Sequence, residues 1–394
     1  ARARSKGKHV GRPKGAKASM AGFHPVQTRS SASNAIKRAY TIAIVVCPLR
    51  TVLVTSATRT LLTSSASIDV SGVGGGNAGN AVVWSDNDTL FYGSILGRGY
   101  DGGKVEVSGH QNLVYRGTVD LLGQGGTTGT LLLDPATLFL GLAPDAAGAG
   151  EQDANLGAGN DILFANADVA DGGDTDANAN SITTAQIALM PAAVNATFQA
   201  TDTITILNQG GLTLTFPTTA GNTVTLETSN VAGGGIVFEN VADTLATAGG
   251  NLTLTSAAGF TLGNLNAGAG TVTITQNGGA GVDLDLRSIV AGALAVTTNG
   301  AFSGINDLAG AVFTIAGNAS FTDAVGGLGE PIVINEAGHA FGSITFNTLG
   351  DPVTITESTA GGMNIVGLNT ATDLTLTSGG TIDDNAGATI VATG

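Results

Sequence analysis

The sequence predicts an all-β protein: a parallel β-helix with rungs of about 20 residues, preceded by a basic, largely disordered N-terminal segment. Three observations lead there. Short runs of alternating apolar and polar residues recur along most of the chain, they return at a near-constant interval, and Gly, Asn and Ala fill the gaps between them. Composition agrees, because 60 of the 394 residues are Gly while aromatic residues make up 5% and charged residues 12%, about half the charged quarter usual in soluble domains. So sparse a set of titratable groups disfavours an ordinary enzyme core. Nine Pro and the lack of a G-X-Y triplet exclude collagen, and a mean hydropathy of +0.26 argues against a mostly disordered chain.

Charge divides the chain in two. Residues 1–59 hold 12 of the 16 Lys and Arg and no acidic residue, the first being Asp69. Residues 60–394 therefore carry 4 basic against 30 acidic side chains, a net of 4 − 30 = −26. Residues 1–40 show no apolar period and read as disordered. Ile42–Leu49 (IAIVVCPL) is too short to span a bilayer, so no stable membrane insertion is expected. The basic stretch, this apolar run and the small residues near Ser64–Ser67 fit either an export leader or a segment that does not belong to the rod. Cys47 lies in this segment and is the chain's single Cys, so the body forms no internal disulfide. One AT-hook-like copy, Gly11–Lys17 (GRPKGAK), is a weak nucleic-acid signal beside an acidic body, and no nucleic-acid partner is expected.

From Ile68 the runs TITIL, LTLTF, TVTLE, NLTLTS, TVTITQ, VDLDL, PVTITE and DLTLTS show the period-2 pattern of half-buried strands. Aligned on first apolar residues, Leu252, Val272, Leu294, Val312, Ile332, Val353 and Leu374 open equivalent strands at spacings of 20, 22, 18, 20, 21 and 21, and Ile204 and Val224 are again 20 apart. A leucine-rich repeat would need its Leu/Asn consensus, and a propeller blade about 40 residues. A stacked β-helix remains, with Gly and Asn at corners where φ is positive. If the period holds through the 327 residues from Ile68, the body makes about 16 rungs on the order of 75 Å long. One window, Ile182–Ala193 (ITTAQIALMPAA), admits a short helix. The expected organisation is a leader at 1–59, a first β-helix block at 60–140, an acidic insertion and connection at 141–200, and a second block at 201–394.

The first block carries a more specific signal. GNAGNAVVWSD at Gly76–Asp86, FYGSI at Phe91–Ile95, GGKVEVSG at Gly102–Gly109, VDL at Val119–Leu121 and TGTLLLDP at Thr128–Pro135 resemble the repeat region of filamentous-haemagglutinin-like exoproteins of two-partner secretion systems, the large adhesins of Gram-negative bacteria. Ile182–Ile206 is similar to the family's connection between blocks of rungs. The resemblance implies a right-handed β-helix, export through an outer-membrane β-barrel partner, and a secreted or cell-surface protein. Its partners would be glycans or proteins on host or neighbouring cells.

Chemistry candidates are few. Asp283 and Asp285 lie two apart on a strand and share a face, as carboxylate pairs do in β-helical polysaccharide hydrolases. The competing reading points Val282, Leu284 and Leu286 into the core and leaves the pair as a solvated face. A lyase needs a base and cations, and the body offers only Arg98, Lys104, Arg116 and Arg287. No G-x-S-x-G motif occurs, and His110 and His339 stand isolated as surface or corner residues. Calcium is the better case: Leu156–Phe164 fits one copy of the G-x-G-x-D-x-U repeat, and Asp161, Asp168, Asp171, Asp174 and Asp176 supply hard oxygen donors. A single copy favours an acidic loop without metal, so no cofactor beyond that optional Ca²⁺ is expected. The resulting expectation is a non-catalytic, structural and adhesive rod segment, with a β-helical carbohydrate-active enzyme or a calcium-stabilised extracellular module as alternatives.

Overall fold

The structure is a computed structural model, and it describes residues 57–141, 180–278, 281–301, 303–325, 330–384 and 387–393. Every strand ladder among them is parallel, and up to Phe313 nearly all strands pair with the third strand along the chain rather than the next. This is a β-helix whose rungs have three faces. The first face runs from Asn80–Ser85 through Lys104–Gly109, Gly129–Leu133, Val194–Ala200, Thr223–Thr228, Asn251–Ser256, Thr271–Gln276 and Ala293–Thr298 to the C-terminal strands. Twelve rungs pass through this face, ending on Thr389–Ala392, a stack on the order of 55 Å at the usual strand spacing. No described helix is long and apolar enough to cross a membrane.

Period-2 sequence makes these strands because alternate side chains leave opposite sides of the backbone. In Thr271–Gln276 the inward Val272 and Ile274 are fully buried while Thr271, Thr273 and Thr275 face out. Inward columns continue from rung to rung, as in Phe198, Leu226, Leu254, Ile274, Val296, Phe321 and Phe346. Burial of these columns supplies roughly 1.5–3 kcal/mol per large side chain. At the end of the first face the inward column turns polar, with Thr228, Ser256, Gln276, Thr298 and Asp323 buried in successive rungs.

The repeat is less uniform than the sequence suggests. Paired residues on the first face are 24 apart at Asn80 and Lys104, 28 at Val224 and Leu252, and 20 at Leu252 and Val272. Leu252, Val272 and Leu294 do stack, but the next residue in their column is Ala319, not Val312, which is exposed. Ile332, Val353 and Leu374 stack on one another on the second face. Ile204 likewise belongs to the second face, opposite Ile236, while Val224 lies on the first. One numerical period thus spans two faces, and twelve rungs pass through the first face among the described residues, against about 16 expected for the whole body. The switch falls where Phe313–Asp323 runs as one strand through what is elsewhere a corner, with a register shift between Ile315 and Asn318.

That same corner is lined by glycine. Gly250, Gly270, Gly292, Gly317 and Gly342 precede first-face strands in consecutive rungs, and a Cβ on Gly270 would lie 2.1 Å from the Gly250 carbonyl oxygen. The chain also departs from simple stacking after Gly141. Ser181–Ile182 pairs with Phe139 and Leu140, while Asn180 exchanges two 2.7 Å bonds with Leu113 on the other side. Asn180 takes φ 59, a left-handed geometry that Asn tolerates. Arg116 clamps this inserted strand through the Ser181 carbonyl at 2.9 Å. The short helix α1 (Thr184–Ala188) follows, capped by the Thr183 hydroxyl, and lies against Thr213–Phe216 where a third-face strand would stand.

Candidate functional site

The outward side of the first face is an ordered polar surface. Because the strands are in register, Thr225, Thr253, Thr273, Ala295 and Ser320 form one column, and Glu227, Thr255, Thr275, Thr297 and Thr322 the next. No described protein group bonds the hydroxyls of these threonines. The neighbouring corner column is tied instead: Asn195 Oδ1 accepts from the Thr223 N–H at 2.8 Å and Asn251 Oδ1 from the Thr271 N–H at 2.9 Å. Side chain-to-backbone bonds of this kind fix one rung on the next and keep the strand edges aligned.

Toward the N-terminus the same face carries a group of titratable side chains. Glu106 lies opposite Leu132, and Asp134 follows Leu133 in register with Gln199, which in turn stands over Glu227. Half-buried Trp84 occupies the same line of the face two rungs earlier. Burial raises the Glu106 carboxyl above its ordinary value and the Asp134 charge adds to it; burial also raises Asp134, reinforced by Glu227 and opposed by His110. A carboxylate accepts hydrogen bonds from hydroxyls, and an aromatic side chain offers an apolar surface. Sequence reasoning missed this group because its members come from separate rungs and no motif joins them. Comparison with protein-family models, curated proteins and solved structures gave no match.

The residues singled out from sequence fall elsewhere. Asp283 and Asp285 face solvent, with Leu284 and Leu286 fully buried between and beyond them, but Val282 is exposed at the corner instead of entering the core. Asp283 accepts from the Gly304 N–H at 2.9 Å and from Asn306 Nδ2 at 3.0 Å. Burial, then the Asp283 charge, raises Asp285. The residues stacked on Asp285 in the following rungs are Asn306 and Val333, so this face adds no further carboxylate there. Asp161, Asp168, Asp171, Asp174 and Asp176 lie outside the described residues, and among the described residues no three His, Cys, Asp or Glu come together as metal ligands.

Of the four cations of the body, Arg98 pairs with Asp120 and Arg116 holds the inserted strand. His339 is neither isolated nor on the surface: its side chain is fully buried, Nε2 lies 2.8 Å from Asp307 Oδ2, and Nδ1 accepts from the Phe313 N–H at 3.0 Å. The backbone donor leaves Nδ1 bare and puts the ring proton on Nε2. Asp307 also accepts from the Asn335 and Glu336 N–H groups. Burial pushes its carboxyl up, but the His339 bond and those two backbone bonds outweigh it and hold it below its ordinary value. The dyad fastens two rungs together.

Proposed function

We propose that the chain is a structural and adhesive β-helical rod segment, secreted or displayed at a cell surface, that attaches to cells or surfaces without catalysis. The observation that carries this reading is the stack of twelve parallel rungs exposing one face, with neutral hydroxyls along its middle rungs and the Trp84, Glu106 and Asp134 patch at its N-terminal end. Such a scaffold presents many weak contacts in fixed register, and multivalent contact converts weak sites into firm attachment. Its partners on this reading are glycans or proteins of host or neighbouring cells. The resemblance at Gly76–Pro135 supports export through an outer-membrane β-barrel partner. The test is binding of the intact chain to glycan arrays and to cells, with Trp84→Ala and Glu106→Gln as variants. Saturable binding weakened by either change supports the proposal, and no binding to any glycan or cell type refutes it.

A second reading, a carbohydrate-active enzyme, draws on the raised carboxyls of Glu106 and Asp134 on adjoining rungs, since a protonated acid beside a carboxylate is what glycoside cleavage uses. Release of reducing sugar from acidic or neutral polysaccharides, lost in Glu106→Gln, would establish it in place of the first.

A further inference from the structure

We infer that the hydroxyl lattice of the first face binds ice. Four consecutive rungs present a grid whose middle column is Thr253, Thr273, Ala295 and Ser320 and whose next column is Thr255, Thr275, Thr297 and Thr322. Strand geometry sets its repeats at about 4.8 Å across rungs and about 6.7 Å along them. Both are close to oxygen repeats on the prism faces of hexagonal ice.

Three further observations point to ordered water as the occupant. The grid carries no charge, although the body around it holds 30 acidic side chains, so it is matched to a neutral partner. Its threonine hydroxyls are engaged by no described protein group, which leaves each one available to a water molecule while its methyl group limits where that water sits. The column beside it is fastened rung to rung by Asn251 Oδ1 accepting from the Thr271 N–H at 2.9 Å, and the ladder from Thr223 to Thr298 runs without a register shift. A rigid array pre-orders water at low entropic cost, whereas the same hydroxyls on mobile side chains would not. No described element covers this face.

The test is ice recrystallisation inhibition and incorporation into a growing ice hemisphere by the full chain, compared with the double variant Thr253→Lys, Thr273→Lys and with Thr354→Lys on the second face. All these side chains point outward, and circular dichroism confirms that each variant keeps the strand signal. The expected result is that the wild-type chain and Thr354→Lys enter ice and arrest crystal coarsening, while the double variant loses both activities. Exclusion of the wild-type chain from ice overturns the inference. So does an equal loss in Thr354→Lys, or binding to crystalline chitin or cellulose without any effect on ice.

Discussion

Replacing His339 by Ala removes the ring that joins its own rung to the preceding one, which holds both Asp307 and Phe313. Three losses coincide. Asp307 gives up the 2.8 Å bond from Nε2, worth about 1.5–3 kcal/mol for a charged acceptor. The Phe313 N–H, which donates to Nδ1 at 3.0 Å, is left buried without a partner at about 1–3 kcal/mol. The ring also leaves its stack on Phe313, whose centroid is 4.5 Å away. Because the Asp307 carboxylate keeps its two backbone donors, these terms overlap, and the expected destabilisation is about 3–5 kcal/mol. Urea unfolding followed by circular dichroism measures it. Rungs contact only their neighbours, so amide exchange should quicken at Phe313 and Phe341 and stay slow at Leu131 and Phe198. A loss below about 1 kcal/mol, or a uniform loss of protection along the stack, would refute the reasoning. Acid provides an independent check: a carboxyl held below its unfolded value contributes stability that is present above that value and disappears as pH falls through the folded one. Wild type therefore weakens below about pH 4, and Asp307→Asn, already destabilised at neutral pH, shows a flatter acid limb.

Glu106 and Asp134 give the opposite sign. Their raised carboxyls favour the fold below the unfolded value, and this contribution fades as pH rises through the folded one; Glu106→Gln should gain about 0.2–1 kcal/mol at pH 7 by removing a like-charge neighbour, measured by urea midpoint. Gly292→Ala would place a Cβ 2.1 Å from the Ala269 carbonyl oxygen and strain the 2.7 Å bond from its own N–H to Gly270, for an expected loss of about 2–4 kcal/mol; an unchanged melting temperature would contradict the corner packing. Thr298 Oγ1 is buried without a partner, so Thr298→Val should be neutral or stabilise by about 1 kcal/mol in the same melts. If the segment holding Asp161 and Asp168 binds calcium, a chelator lowers the melting temperature, and an unchanged transition dismisses the metal.

Much of the fold was legible because burial imposes a two-residue period on every face. Leu284 and Leu286 point inward and Asp283 and Asp285 outward, as alternation requires. That same regularity hides which face a strand occupies: Ile332 and Val353 keep a spacing of 21, yet they stack on the second face, since all faces share one rung length. The continuous strand Phe313–Asp323 gives no warning in sequence, because a corner that straightens keeps its alternation. The Asp307 and His339 dyad spans 32 residues, and the Glu106, Asp134 and Glu227 group draws on separate rungs. Pairs of that kind are set by rung length, which varies from 19 to 32 between paired residues that do not flank residues 142–179. The aspartates of the acidic insertion were read from a metal-repeat pattern, and they lie outside the described residues.

The column of corner glycines also bears on how such a chain lengthens. A rung bounded by Gly270 and Gly292 meets a glycine backbone above and another below, so its upper and lower surfaces are interchangeable at that corner. A second copy of residues 271–292 spliced in after Gly292 would find the same neighbours on both sides, add one more strand to each face and extend the threonine columns by one row. The rung is therefore a unit of duplication, and length can grow or shrink by whole units without redesign of the interior.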